Sequence, residues 1–271
     1  MTDLRDSPLG HATTWAEGHD PGLLFPVERA PLREELGLPA PLPFRGVDVW
    51  NCYELSWLDT RGKPEVAVAR FDVPADSPRI VESKSVKLYL TALNLVRFAS
   101  REDVVTTIGR DLSAATGASV AVVLQGPDTA PRRSELAGEP LDSEPLEAID
   151  DAPDARVLRV GDASASETLL TQLFRSVCPV TGQPDYASVQ VSYRGPGIDR
   201  PRLLRYLVSY RRHPGFHEHC VERIFADVWT QCRPEALAVY ARFARRGGID
   251  INPFRTSGAE PPPANTRTWQ Q

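Results

Sequence analysis

The chain has 271 residues, 41% of them hydrophobic, and a formal net charge of −5, so it is long enough for two domains with separate cores. This mild acidity argues against nucleic-acid binding, and the sequence has no run of about eighteen apolar residues that would cross a membrane. The N-terminus lacks a secretory signal, and four cysteines are scattered without CxxC spacing, which indicates free thiols in a reducing cytoplasm. We therefore expect a cytoplasmic protein that binds neither nucleic acid nor membrane.

The first half of the chain predicts an arm followed by a compact module. Residues 1–45 are rich in Pro, Gly and charge, and they predict an N-terminal arm with at most a short helical turn. Residues 46–125 predict a first module. Its apolar spacing gives strand, strand, helix, helix and strand at 47–59, 64–73, 85–98, 101–116 and 119–124. Ser100 and Gly117 are the residue types expected at the two ends of the second helix.

The second half of the chain repeats this order. Residues 126–160 predict an acidic linker or elaborated hairpin, residues 161–255 a second module, and residues 256–271 an extended C-terminal tail. The same five elements recur at 166–177, 186–195, 200–213, 217–232 and 236–244. The turn GKPE at 62–65 matches GQPD at 182–185, which indicates a diverged internal duplication. We expect an α+β fold of antiparallel sheets, each backed by a helix pair.

The segment FRSVCPVTGQPDY places Cys178 in a turn-rich bend, with its nearest acid, Asp185, seven positions on. A thiol of ordinary pKa is mostly protonated at neutral pH, so a nucleophilic cysteine needs a neighbouring base or charge. A tight turn would fold Asp185, on the next strand, back toward Cys178 and supply that partner. Spacing alone leaves open the alternative of a loop cysteine beside an unrelated aspartate.

His217 and Glu218 open a predicted helix in GFHEHCVER, where the helix N-terminus favours acidic side chains and anions. Adjacent helical residues point in different directions, so the pair would contact different parts of one ligand. A zinc site would draw on four residues: His217, His219, Cys220 and Cys178. Histidines two positions apart do not share a helix face, however, and no CxxC or HxxxH supports them. Plain capping and surface positions are the remaining alternative.

Two further segments suit a nucleotide or a purine. In VESKSVKLY, Glu82 offers a carboxylate for the planar edge of a guanine-like base, while Lys84 and the free N–H groups of a helix start suit a phosphate. The alternative is helix capping with an ordinary salt bridge. In ARRGGIDINPFR, Arg246 and Gly247 belong to a flexible basic turn. Because no GxGxxG opens a helix after a strand, a dinucleotide would bind outside a Rossmann fold.

Four segments together carry a family resemblance: ESKSVKLYL, CPVTGQPD, IDRPRLLRYLVSYRRHPGFHEHCVERIF and YARFARRGGIDINPFR. From about Pro43 to Arg255 the chain resembles the NADPH-dependent 7-cyano-7-deazaguanine reductases, the nitrile reductases of queuosine biosynthesis, in their two-module form. The resemblance implies two tandem tunnelling-fold modules and a homodimer. It also implies a site between modules or between chains, since the first module has Leu58 at the place of Cys178, and the second has Asp199 at the place of Glu82.

The resemblance implies a role for each candidate residue. Cys178 would attack the nitrile carbon to give a covalent thioimidate, Asp185 would donate the proton, and NADPH would supply two hydrides. The deazaguanine would contact five residues: Val81, Glu82, Ser83, His217 and Glu218. NADPH would contact Ser83, Lys84, Arg246 and Gly247. No metal is expected.

Two alternatives belong to other functional classes. A zinc-dependent pterin or purine hydrolase of the same fold would use Cys178 and His217 as ligands, but it leaves Asp185 and the ESKS motif without a role. A non-catalytic deazapurine-binding protein would tolerate loss of Cys178, which is present. We further hypothesise that Cys220, in the same helical turn as His217, forms a reversible protective disulfide with Cys178 on oxidation.

Overall fold

The computed structural model of the protein describes Asp6 and residues 17–271, apart from Pro127 and Glu147. These residues form two compact units, each assembled from separate stretches of chain. The first contains the residues up to Leu32, Asp48–Pro131 and Arg245–Ile251, and the second contains Arg33–Val47, Arg132–Ala244 and Asn252–Gln271. The basic turn at Arg245–Ile251 therefore packs with the first unit, although the sequence places it next to the second helix pair.

The first half of the chain contains the predicted series of strand, strand, helix, helix and strand, with two short strands and one short helix in addition. Its elements are β1 (Pro26–Glu28), α1 (Arg29–Glu35), β2 (Arg45–Leu58), β3 (Pro64–Pro74), β4 (Arg79–Val81), α2 (Ser83–Ala92), α3 (Arg101–Thr116) and β5 (Ala121–Gln125). Strand β3 lies between β2 and β5 and is antiparallel to β5, while β1 pairs antiparallel with β4.

Helix α3 shows how local sequence defines one element. The Ser100 side chain accepts a hydrogen bond from the Asp103 N–H at the N-terminus, and Gly117 ends the helix at φ +76°, in the left-handed region that glycine favours. One stripe of the helix is buried, with apolar side chains at four-residue intervals: Val104, Ile108 and Leu112. Both predicted ends are confirmed.

The second half repeats the same order. After β6 (Glu139–Pro140) come β7 (Val160–Val177), β8 (Pro184–Ile198), α4 (Arg200–Val208), α5 (His217–Cys232), β9 (Ala236–Phe243) and β10 (Ile249–Thr256). Strand β8 is antiparallel to both of its neighbours, β7 and β9. The helix pair packs on this sheet in one core that includes Val191, Leu207 and Phe225. The predicted α+β fold, with sheet and helix pair occurring twice, is confirmed.

The N-terminal arm holds more regular structure than the predicted short turn. Val27 of β1 lies opposite Ile80 of β4, and α1 has seven residues. Arg29, at the start of α1, is buried and donates hydrogen bonds to Ser77 and Asp48. Because a buried charge needs a partner, these distant residues anchor the arm, and the composition of residues 1–45 does not reveal them.

Two other expectations are corrected, one on the end of a helix and one on a strand. Helix α2 stops at Ala92 rather than near residue 98, since Leu93–Leu95 form a 3-10 turn and Val96 is extended. Strand β10 was not predicted, because Asn and Pro are poor strand formers; it pairs antiparallel with β9.

The predicted extended tail is also bound to the second unit. The Gln271 side chain accepts a hydrogen bond from Arg242 and donates one to the Phe243 carbonyl.

No helix in the described ranges is long and apolar enough to cross a membrane.

Candidate active site

Cys178 occupies a tight turn between β7 and β8. Its N–H donates to the Gln183 carbonyl at 2.8 Å, and its carbonyl accepts from the Gly182 N–H at 3.0 Å. Gly182 has φ +67°, a conformation that glycine adopts without steric cost. The thiol is 6% exposed, so this cysteine is shielded from bulk water although it lies in a turn.

Asp185 lies at the start of β8, directly across from Ser176 of β7. Since Val177 and Pro184 form the last pair of that ladder, Cys178 follows the end of one strand just as Asp185 begins the next. The Asp185 side chain is 5% exposed, and its Oδ2 lies 3.5 Å from Nε2 of His217. The turn therefore brings the predicted carboxylate and imidazole together.

The start of α5 is hydrogen-bonded to the end of β7. Val177 donates its N–H to the His213 carbonyl at 3.0 Å and accepts from the Gly215 N–H at 3.1 Å. A Cβ added at Gly215 would lie 3.0 Å from the Cys220 sulfur, so glycine permits this close approach. The connection holds the first turn of α5, with His217 and Glu218, beside the residue that precedes Cys178.

The polar groups of this turn are almost entirely buried. Glu218 is 4% exposed, and Phe216 precedes the helix without a side-chain cap. Burial above all, together with the negative charges of Asp185 and Glu218, raises the pKa of Cys220 to about 12. Two predicted carboxylates thus act on one buried thiol. The Nδ1 atom of His217 is buried and has no hydrogen-bond partner among the described residues.

The first unit contains the ESKS motif at the start of α2. The Glu82 carboxylate caps this helix, accepting from the Lys84 N–H at 2.6 Å and the Ser85 N–H at 2.8 Å. Burial raises the pKa of Glu82, and these two hydrogen bonds oppose that effect. Two of the N–H groups considered for a phosphate are therefore paired with Glu82, which is the capping alternative. Val81 is 5% exposed and part of the same unit's core.

The basic turn lies against the same helix. Arg246 and Ile249 exchange backbone hydrogen bonds across Gly247 and Gly248, whose φ angles are +58° and +81°. A Cβ at Gly247 would lie 3.2 Å from Cδ and 3.3 Å from Nζ of Lys87, one helical turn beyond Ser83 and Lys84. The structure therefore places Gly247 against α2, one helical turn from Ser83 and Lys84. Cations around a turn without side chains suit an anionic phosphate chain.

Sequence reasoning missed three residues near these groups. Lys87 contacts the glycine turn; its position three residues after Lys84, on the same helix face, is a signal that could have found it. Arg245 lies over the Tyr53 ring, 5.0 Å from its centroid. Phe243 stacks on His217, yet in the sequence it is simply an apolar residue of a predicted strand.

The zinc and disulfide hypotheses involve the same cysteines. In the described ranges, no group of three or more His, Cys, Asp or Glu side chains is placed to hold a metal ion. Cys178 and Cys220 are both free, buried thiols. The oxidation-dependent bond between them stays a prediction.

Comparison with known sequences connects these groups to one chemistry. A family described as nitrile reductase, 7-cyano-7-deazaguanine-reductase N-term, matches residues 15–124, and a family described as QueF-like protein matches residues 184–262. Two relatives are the NADPH-dependent 7-cyano-7-deazaguanine reductases of Burkholderia ambifaria and Burkholderia multivorans. Each is 54% identical over 269 residues, covering 98% of this chain and 98% of the relative.

A solved structure of the archaeosine synthase QueF-Like in its apo form aligns with 37% of this chain and 99% of its own, at 21% identity and a TM-score of 0.32. The fold assignment therefore depends on this chain's own sheets and helix pairs and on the two sequence matches. A buried thiol in one of two such modules, together with these matches, defines a nitrile reductase of the two-module kind. The chain belongs to the family of NADPH-dependent 7-cyano-7-deazaguanine reductases.

Proposed function

We propose that this chain reduces the nitrile of 7-cyano-7-deazaguanine to the primary amine of 7-aminomethyl-7-deazaguanine with NADPH, as a step in queuosine biosynthesis. The observation that carries the proposal is the shielded Cys178 turn, hydrogen-bonded to the start of α5 and followed by Asp185 beside His217. The name shared by relatives at 54% identity supports the substrate and the reductant.

The first chemical step is addition of the thiol to the nitrile. The Cys178 sulfur bonds to the nitrile carbon, one C–N π bond breaks, and the nitrogen receives a proton from Asp185, giving a thioimidate. No atom is lost, because the thiol proton replaces the one that Asp185 gave. A nitrile carbon accepts hydride poorly and a protonated thioimidate accepts it better, so covalent capture divides one difficult step into easier ones.

The burial of the second unit's groups suits this chemistry. Cys178, Asp185 and Glu218 are each less than 7% exposed, so water has little access to the thioimidate or to the imine that follows it. Asp185 acts within reach of His217, at 3.5 Å, and this imidazole stabilises the carboxylate after it has given up its proton. Glu218 and His217 would bind the deazaguanine, with the Glu218 carboxylate on its amino-pyrimidine edge.

The first unit would supply the remaining contacts. Val81, Glu82 and Ser83 would contact the base, and Ser83, Lys84, Arg246 and Gly247 would bind NADPH, which when bound supplies one hydride for each of the two reductions. The glycine turn against Lys87 fits such a ligand, because any larger side chain at Gly247 would meet that lysine. Lys84 and Arg246 would bind the phosphates of NADPH through their charge, since the first N–H groups of α2 are already paired with Glu82.

The test is an intact mass of the protein mixed with 7-cyano-7-deazaguanine in the absence of NADPH. We expect a shift equal to the whole ligand mass, because addition loses no atoms. The shift should vanish in Cys178→Ala and persist in Cys232→Ala, a matched control that removes another free, buried thiol. Lack of an adduct on folded, reduced wild-type protein would contradict the proposed mechanism. Consumption of NADPH by the adduct is the follow-up measurement.

A further inference from the structure

We propose that Phe243 is a positioning residue for His217: its ring fixes the plane of the imidazole and so holds Nδ1 ready for the substrate. Phe243 lies at the end of β9 and His217 at the start of α5, both in the second unit. The structural part of this inference stands on the geometry of the free protein. Its kinetic part rests on the proposed function.

The two rings form the closest aromatic pair among the described residues. Their centroids are 3.7 Å apart and their planes differ by 3°. The other ring pairs among the described residues have centroids 5.2 to 6.2 Å apart. A separation of 3.7 Å is full van der Waals contact between carbon atoms. An imidazole that turned about its Cβ–Cγ bond would push its edge into Phe243, so the contact allows only the present plane.

Phe243 is itself held rigidly enough to act as a wall. It is fully buried, and in the β-ladder it lies opposite Ala187 of β8. Its carbonyl also accepts a hydrogen bond from Gln271 at 2.9 Å, which joins the end of the chain to this position.

The imidazole needs such a wall because its hydrogen bonds do not hold it. Nδ1 has no partner among the described residues. The 3.5 Å contact from Nε2 to Asp185 is longer than an ordinary hydrogen bond. A buried nitrogen without a partner costs free energy, and a contact as long as 3.5 Å restrains rotation of the ring only weakly. Held by Phe243, Nδ1 keeps its hydrogen-bonding capacity for a polar edge of the bound deazaguanine.

Packing alone is the competing explanation, and Phe174 provides the matched control. It is a fully buried phenylalanine of the same core, and its ring contacts are with Phe243 and Tyr210 rather than His217. Replacing either phenylalanine by methionine nearly conserves volume but removes a flat ring. If Phe243 acts only through packing, Phe243→Met and Phe174→Met should have the same effects on stability and on the His217 ring. If Phe243 positions His217, only Phe243→Met should change the environment of that ring.

The experiment compares these two variants by ¹⁵N NMR of the histidine side chains in the free protein, with His217 assigned from His217→Gln, and by steady-state kinetics. In Phe243→Met we expect shifted His217 ring resonances and a KM for the nitrile raised roughly 2- to 13-fold, the range for one aromatic pair, with a smaller change in kcat. Phe174→Met should lower Tm by a similar amount. It should leave the His217 resonances at their wild-type positions and KM within twofold of the wild-type value. Phe243→Tyr keeps the ring face and should restore both.

Three results would overturn the proposal: unchanged His217 resonances in Phe243→Met, shifted resonances with an unchanged KM, or equal effects of Phe243→Met and Phe174→Met. Failure of the proposed function would be recognised separately, because wild-type protein would then not turn over the nitrile. The NMR comparison would still decide whether Phe243 fixes the imidazole.

Discussion

Replacing Glu222 by glutamine should destabilise the second unit, because this buried carboxylate forms ion pairs with two arginines. Glu222 lies in α5, four residues after Glu218, and is 3% exposed. Arg33 donates to it at 2.9 and 2.7 Å, and Arg255 at 3.1 and 2.9 Å. The Arg255 side chain is fully buried and that of Arg33 is 13% exposed. Solvent therefore screens neither pair strongly.

The expected magnitude follows from removing a buried negative charge that both guanidinium groups contact. Removing one partner of a buried ion pair costs about 3–5 kcal/mol. Glutamine can keep the oxygen that accepts three of the four hydrogen bonds, but its NH₂ group then faces Arg33 Nε, and the amide carries no negative charge. At about 2–4 °C per kcal/mol for a chain of this size class, Tm should fall by on the order of 10 °C.

The assay is chemical and thermal unfolding of Glu222→Gln beside a matched exposed pair. Asp151 accepts from Arg212 at 2.7 Å, a similar distance, but the two side chains are 87% and 78% exposed. Asp151→Asn should therefore change the free energy of unfolding by less than about 1 kcal/mol. If the two variants lose similar stability, burial does not govern these ion pairs and the reasoning is wrong.

Three more predictions concern the site and its pH dependence. Asp185→Asn should slow adduct formation, followed by intact mass against time, by about 10²–10⁴-fold; a wild-type rate would exclude Asp185 as the proton donor. Gly247→Val places a Cβ 3.2 Å from Lys87 at φ +58°, so NADPH should bind more weakly in a calorimetric titration, and unchanged affinity would remove the turn from the NADPH site. Burial acts to raise the pKa of Asp111, but hydrogen bonds from His19, Tyr89 and Arg110 outweigh it and lower the pKa. The ionised Asp111 carboxylate therefore stabilises the folded protein at pH values above the ordinary aspartate pKa. This contribution is lost as the pH falls through the lowered pKa of Asp111 in the folded protein. The stability deficit of Asp111→Asn at pH 7 should begin to shrink near about pH 4, the ordinary aspartate pKa, and should vanish once the pH lies below the lowered pKa of folded Asp111. An equal deficit at pH 7 and below that pKa would contradict this.

Elements whose signals are local could be predicted from the sequence. Helices α3 and α5 begin and end at the predicted residues, Arg101–Thr116 and His217–Cys232, because caps, turns and apolar stripes all lie within or beside them. The same holds for the turn after Cys178, where Pro and Gly residues specify the bend. Cys178 and Asp185 were therefore accessible to sequence reasoning.

Features that depend on distant residues could not be predicted. The binding of Gln271 requires Arg242 and Asn252, which lie 29 and 19 positions earlier. The stack of Phe243 on His217 requires a strand end to meet a helix start, and no periodicity encodes that meeting. Glu82 differs from these residues because its partners, Lys84 and Ser85, are local. Its position before a predicted helix indicates a possible cap, but the residue type alone leaves the choice between a helix cap and a ligand contact open.

The duplication allows the proposed nucleophile and proton donor of the second unit to be compared with their counterparts in the first. Helices α3 and α5 both have 16 residues, so Arg101 and Glu102 occupy the places of His217 and Glu218, as Glu65 occupies that of Asp185. Yet Glu102 is exposed, and Glu65 is 38% exposed and paired with Arg101 at 3.5 Å. An exposed, ion-paired carboxylate keeps its charge and is a poor proton donor at neutral pH. A cysteine introduced at Leu58 would therefore lack both a proton donor and an imidazole, so burial of the acids distinguishes the two copies as much as the thiol does.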